Sequence, residues 1–474
     1  VAIPPPPQFI GHAASPDPVR HTGRIPRSPF MAANGLSEIH DDEWQSDVYT
    51  YGGPLGKNPQ TFSTYLGADI PPGAGRDCGS ITFDQKGRVI SICIGLSGPK
   101  LYMFDPETLA TMATFSLPGR TPEDLLLNPG PKIFQDFSAG GYFYLNHDDQ
   151  VVTGTTNGHI YVIEETPGPG FKLVRDYPLG LRTNEEITSQ LPDSHGLLWF
   201  TARQDGVVGT LDFKTGRVRI RRLGNKADGE ITKSLAADSH GGIYIPTNHR
   251  LYRFAAGRNG QPRITWQVTY PNDGVAKPGQ LDAGTGTTPV LSDGGRYVGI
   301  NDNANPMDIV IYRTAVRVAA HHRRLVCRIP VFHKDTSADE NAMIAAGRSY
   351  VIENNYGYQG PQSTEAGNSA PGFARITINR KGTRCHHNWT SYAVSAPSVV
   401  SKLSLKNGLI YTYTDDGNDN WYWTTLSYKT GKVVYERYAG SGLGYNNNYA
   451  GIALAPTGTE YLGTLGGVVA LRDK

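Results

Sequence analysis

Apolar positions along this chain come in short runs, and within a run they follow a period of two far more often than a period of 3.6. Leu198-Trp199-Phe200-Thr201-Ala202 and Ile243-Tyr244-Ile245-Pro246 read as strands covered on both faces. Helical periodicity is almost absent; Thr121-Pro122-Glu123-Asp124-Leu125 could start one short turn.

The runs repeat as a unit of strand, turn, strand and strand, often followed by a turn ending in Thr-Gly. One copy comprises residues 79–83, 88–93, 100–104 and 112–115, and further copies begin at Phe134, Glu186, Glu230, Thr287, Asn341 and Ser398. The last copy, 449–471, holds only about three strands, and residues 61–65 can supply the missing outer one. A four-stranded blade that is apolar on both faces cannot bury them alone, but blades packed radially cover one another. The fold expected is therefore all-β: a β-propeller of four-stranded antiparallel blades, its ring closed by an N-terminal strand. The count is eight blades, or seven if one copy has been split wrongly. The propeller occupies residues 60–474. Residues 1–59 lack the repeat, and their Pro-rich stretches and Asp41-Asp42-Glu43-Trp44 suggest an extended arm lying over the ring.

Composition fits many strands joined by tight turns: among 474 residues there are 56 Gly, 33 Pro and 26 Tyr against 15 Phe. Charged residues are 19% and the net charge is +2, without the clustered basic excess that nucleic acid requires. No apolar run approaches the ~20 residues of a membrane-crossing helix. Four cysteines allow three pairings. Cys78 opens one strand and Cys93 ends its hairpin partner across Asp84-Gln85-Lys86-Gly87, while Cys327 and Cys385 fall on outer strands of neighbouring blades. Two such bridges favour an oxidising, extracellular setting. Asn388-Trp389-Thr390 matches the N-glycosylation acceptor triplet, and Val1-Ala2-Ile3 followed by prolines looks like a processed start.

The turns Asp212-Phe213-Lys214-Thr215-Gly216 and Ser427-Tyr428-Lys429-Thr430-Gly431, with the spacing of the repeats, resemble pyrroloquinoline-quinone-type propellers over residues 60–474. The whole pattern is similar to uncharacterised secreted propeller proteins described as quinone-binding-like. The resemblance implies a scaffold and no activity. The quinone enzymes' docking repeat and their adjacent-cysteine pair are both absent, so no cofactor residue carries over.

In a propeller the loops leading into each innermost strand, and those joining second to third strands, gather on one face. The lead-in loops offer Arg76, Asp77, Asp136, Glu186, Glu230, Lys233, Asp282, Asp339, Glu340, Asn341 and Asn447. The second set offers His249, Asn301 to Asp308, Glu353-Asn354-Asn355-Tyr356-Gly357-Tyr358 and Asp415 to Trp421. His147, His195 and His240 sit in turns of the opposite face.

Asn301 to Asp308 carries five Asn or Asp residues in eight positions, more than turn chemistry needs. Oxygen-rich loops suit Ca²⁺, with Asp302, Asn305, Asp308 and Glu353 as ligands. They also suit a poly- or oligosaccharide, held by Arg76, Asp77, Glu186, Lys233, Asn303, Asn354 and Asn447, with Tyr358 and Trp421 stacking on the sugar.

For catalysis, Glu230 and Glu340 would pair as acid and base of a hydrolase. Alternatively Tyr356 or His249 would take the proton in a lyase, with Arg76 or Lys233 neutralising a uronate. The functions expected are therefore a secreted carbohydrate-active lyase or hydrolase, a non-enzymatic binding or assembly protein, or a quinone- or metal-dependent oxidoreductase. Neither a nucleic-acid nor a membrane partner is expected, and the oligomeric state is not legible.

Overall fold

Each repeat forms one antiparallel sheet, and eight such sheets make an eight-bladed β-propeller. The computed structural model describes residues 4–67, 75–95, 98–120, 137, 139–224, 229–360 and 369–474. The helical turn expected at 121–125 and the lead-in residue Asp136 lie outside the described residues.

Blades 1 to 6 follow chain order at 77–116, 143–178, 187–222, 236–269, 290–330 and 344–391. Blade 7 comprises 402–441. Blade 8 takes three strands from 453–473 and its outermost strand, Pro59–Tyr65, from the other end of the chain. That strand pairs in unbroken antiparallel register with Gly467–Asp473, from Pro59 opposite Asp473 to Tyr65 opposite Gly467. The closure thus joins the two ends of the propeller in one blade and covers the outer side of Gly467–Asp473.

Local chemistry sets the blades. In the first hairpin of blade 1, Asp84 Oδ1 accepts the backbone N–H groups of Lys86 and Arg88 at 3.0 and 2.8 Å. Asp193 and Asp238 do the same in blades 3 and 4, accepting from His195 and Leu197 and from His240 and Gly242. An Asp that caps two donors two and four residues on makes the turn, and the histidines between are turn residues. The inner strands are apolar on both sides: Leu198–Ala202 and Val207–Leu211 of blade 3 are buried throughout. Outer strands such as Leu325–Pro330 alternate towards solvent.

Cys78 is bonded to Cys93 within blade 1, and Cys327 to Cys385 between the outer strands of blades 5 and 6. Among the described residues no helix is long and apolar enough to cross a membrane.

Residues before the ring do more than lie over it. Phe9–Gly11 adds a strand to the outer edge of blade 7, and Val48–Tyr49 pairs in parallel with its innermost strand. Between them the chain threads the hub. The carbonyl of Ser37 accepts from Leu145 of blade 2 and that of Glu43 from Ala237 of blade 4. Trp44 accepts from Leu291 of blade 5, Ser46 from Ala345 of blade 6 and Asp47 from Leu403 of blade 7. Innermost strands of five blades are therefore tied through one segment.

Candidate functional site

The threaded segment closes one side of a cavity on the propeller axis. Its walls are lead-in residues: Tyr142 before blade 2, Thr232 and Lys233 before blade 4, Glu340 and Asn341 before blade 6, and Tyr449 before blade 8. Ile39 and His40 of the arm form the floor. About 70 Å³ is open to the centre of a water molecule, which is room for several waters or one small ring.

Lys233 is the charged centre. Its ammonium donates to Thr232 Oγ1 at 2.9 Å and to Glu340 Oε1, and lies 3.9 Å from Asp282. Burial opposes that charge, but Glu340 and then Asp282 outweigh it and hold the lysine above its ordinary value. Burial pushes the Glu340 carboxyl up to about 8, against the attraction of Lys233. Glu340 Oε2 accepts the Leu281 N–H at 3.0 Å. Thr232 donates to Asp282 Oδ2 at 2.8 Å. Two carboxyls thus face one ammonium.

The rest of the lining alternates in character. Burial raises the Tyr142 phenol against the pull of Lys233, and the ring lies 6.0 Å from that of His40. The Tyr449 hydroxyl is buried and has no hydrogen-bond partner among the described residues. Tyr449 also holds a left-handed backbone, φ 67°, as does Asn448 before it. A bulky residue in that region is strained, and such strain persists where the surroundings enforce it. Ile39, Phe137, Leu281, Ala342 and Val400 supply apolar surface. Close approach builds this wall: a Cβ on Gly286 would sit 1.5 Å from the carbonyl oxygen of Asp339, next to Glu340.

Of the described residues expected from sequence and named above, Lys233, Glu340 and Asn341 line this cavity and the others lie elsewhere. Glu230 does not face Glu340 as the second carboxyl of a hydrolase: its Oε2 accepts from Arg203 Nε at 2.8 Å, partly exposed. His249 is exposed on a turn, and Tyr356 is half-buried with its N–H on Asn354 Oδ1. Arg76 is buried and donates to the Gly98 carbonyl. Glu186 accepts from Gln204. Asp77 accepts from Asn448 Nδ2, and burial pushes it up to about 7. Asn303 donates to Asn272 and Val275, and Asn354 to Thr336.

Two expected stacking rings are structural. Trp421 is fully buried, lying parallel to Tyr413 at 5.3 Å in the core of blade 7, so no sugar reaches it. Tyr358 is buried with its hydroxyl on Asn446 and Asn448. Asn447 is buried too, and its Oδ1 has no hydrogen-bond partner among the described residues.

The four expected metal ligands do not form one set: the Asp302 and Asp308 carboxyls face each other, while Asn305 and Glu353 turn to other partners. Asp302 Oδ1 caps the N–H groups of Ala304 and Asp308, Asn305 pairs with Asp335, and Asp308 pairs with Arg328 at 2.7 Å. Glu353 accepts from Asn341 and Asn355, and its Oε2 lies 2.6 Å from Ser401 Oγ. No group of three His, Cys, Asp or Glu side chains among the described residues is placed to hold a metal ion.

His40 and Tyr142 are among the lining residues that sequence reasoning missed, with Thr232 and Thr288. His40 sits in the segment read as an arm, and Tyr142 precedes a strand in a Tyr-rich run that reads as core.

No family model matches the chain. An uncharacterized protein of Archaeoglobus fulgidus is 26% identical over 319 residues, 61% of this chain, and the chain spans 61% of that relative's length. Among solved structures, Sqt1 of Chaetomium thermophilum superposes with a TM-score of 0.53 at 12% identity, covering 85% of this chain and 95% of that one. A streptogramin B lyase gives 0.44 at 14% identity, covering 88% and 98%. These are similarities of fold alone.

Proposed function

We propose that the protein is a carbohydrate-active propeller that takes one neutral sugar unit, or the end of an oligosaccharide, into the axial cavity. The observation that carries this reading is the lining. A sugar ring has an apolar C–H face and a hydroxyl rim. The cavity offers Ile39, Phe137, Leu281 and Val400 to the one, and Thr232, Lys233, Glu340, Asn341 and Tyr449 to the other. Charge argues for a neutral ligand. Lys233 is already matched by Glu340 and Asp282, so no cation is left over for a uronate. That favours neutral sugars over the uronate substrates of a lyase.

An extracellular setting belongs to the same proposal and is supported by the two disulfides.

Calorimetric titration with neutral monosaccharides and oligosaccharides, beside their uronic acids, tests the reading. The expected result is binding of a neutral sugar that Lys233→Met weakens at least tenfold, with uronic acids weaker or silent. Preference for the uronic acid, or silence across the panel, overturns it.

A further inference from the structure

Charge is spread unevenly along this chain. Residues 309–334 and 369–414 hold six Lys or Arg each and no Asp or Glu, so the rest of the chain carries 33 Lys and Arg against 43 Asp and Glu. The fold brings parts of these two segments together. Residues 314–324 join the third and fourth strands of blade 5, and residues 379–384 join those of blade 6. Both loops therefore lie on the face opposite the lead-in loops. Cys327 and Cys385, which follow the two loops, are bonded to each other. Arg313 Nη2 donates across to the Gly382 carbonyl at 2.6 Å.

Two arginines build this platform and five other cations stand on it. Arg313 Nε donates to the Arg323 carbonyl at 3.1 Å. Arg324 donates to the carbonyls of Arg313 and Val316 at 2.9 and 3.1 Å, with its guanidinium 4.5 Å from the centre of the Trp266 ring. These contacts hold the backbone of the blade 5 loop. Arg317, Arg323, Arg380, Lys381 and Arg384 are exposed, and none of their side chains forms an ion pair or hydrogen bond among the described residues. Five unmatched like charges on two joined loops set up a field that draws in a polyanion. Val316 and, at the end of the loop, Leu325 are exposed apolar side chains beside them.

We propose that this face binds a linear acidic polysaccharide, whose carboxylates or sulfates pair with the five cations and whose C–H faces pack on Val316 and Leu325. A single uronic acid meets one or two of these cations and is held weakly, whereas a polymer meets several at once. The choice of a polysaccharide among polyanions rests on the extracellular setting proposed above. It is supported by the loops themselves, since neither carries a Phe, Tyr or Trp on which an unpaired base would stack. A polymer held here leaves the lead-in loops of the other face uncovered.

Binding of the full chain to immobilised polygalacturonate and dextran sulfate tests this, beside neutral dextran, duplex DNA, and vesicles of phosphatidylglycerol and phosphatidylcholine. The expected result is binding to at least one acidic polymer and none to dextran, the preferred polymer telling carboxylate from sulfate. Raising NaCl from about 50 to about 500 mM should weaken it by about tenfold or more. Arg317→Ala with Arg323→Ala, and Arg380→Ala with Lys381→Ala and Arg384→Ala, should each weaken it by about tenfold. Lys86→Ala with Lys214→Ala removes two exposed charges from the same face over blades 1 and 3, and should leave binding within about twofold. Every variant should keep the wild-type Tm, since these side chains hold no structural contact. An equal loss in the Lys86 and Lys214 pair, or no binding to either acidic polymer, overturns the inference and leaves the axial sugar reading standing. Vesicles bound more tightly than either polymer do the same. DNA bound more tightly than either polymer overturns the inference together with the extracellular setting.

Discussion

At the scale of single residues, Glu353 shows how an oxygen-rich loop can serve structure. Ser401 Oγ lies 2.6 Å from Glu353 Oε2 and 2.8 Å from Thr412 Oγ1. A hydroxyl has one hydrogen. If Ser401 gives it to Thr412, the other contact needs a proton on Glu353, and burial pushes that carboxyl up to about 8. Glutamine reproduces this pattern, donating from its amide and accepting through its oxygen. Glu353→Gln should therefore change unfolding free energy by less than about 1 kcal/mol at pH ~4.5, where the unfolded chain also holds much of the proton, and raise it at pH ~7, whereas Glu353→Ala should cost about 3 kcal/mol at pH ~4.5 by taking one acceptor from each of Asn341 and Asn355. Urea denaturation separates the two. Lys402 is the opposite case, since its ammonium balances Asp41 and Asp47 in full burial. Lys402→Met leaves those carboxylates unmatched and should cost about 3–5 kcal/mol in the same titration.

At the scale of elements, the blades were readable and the arm was not. Alternating apolar runs and Asp-initiated turns are local signals, so the repeats and the borrowed strand near residues 61–65 could be read from the chain, as could both disulfides. The arm's placement is not local. Asp41, Asp42, Glu43 and Asp47 look like a solvated acidic run, yet all four are buried. Lys402, the partner of Asp41 and Asp47, lies on blade 7, 361 positions from Asp41, a pairing that no periodicity announces. Trp421 was misjudged for a related reason. Asp419 takes the left-handed backbone that the turn needs and accepts from the Trp421 indole, and the ring turns into the blade.

The bridge between outer strands also belongs at this scale. Cys327 and Cys385 enclose a separation of 58 residues, so by loop entropy the bond removes about 4 kcal/mol of freedom from the unfolded chain. Cys327→Ser with Cys385→Ser should lower stability by about that amount and leave sugar binding unchanged, because neither residue lines the cavity.

At the scale of the whole molecule, buried carboxyls give stability a direction with pH. Burial raises Asp42 to about 6, Glu43, Asp77 and Asp415 to about 7, and Glu353 to about 8. In the unfolded chain these groups ionise near their ordinary values of about 4. Between about 4 and 8 the unfolded state binds fewer protons than the folded state, so unfolding free energy falls as pH rises. Asp105, Asp212 and Asp238 are held below their ordinary value and act in the other direction, with stability lost only under pH ~4. Scanning calorimetry should therefore give a higher Tm at pH 5 than at pH 8.5. Glu353→Gln should flatten the difference. A Tm that rises across this range contradicts the burial of these groups as neutral acids.

The ring and its threaded hub together make an axial cavity with one charged centre, and the proposed function rests on what enters it. The most direct test is a crystal structure of the protein soaked in the neutral sugar that binds best. The expected result is one ring on the axis, its apolar face on Ile39 or Phe137 and its hydroxyls on Lys233, Glu340 and Tyr449. Sugar bound elsewhere, with only water at the axis, would contradict the assignment of the site.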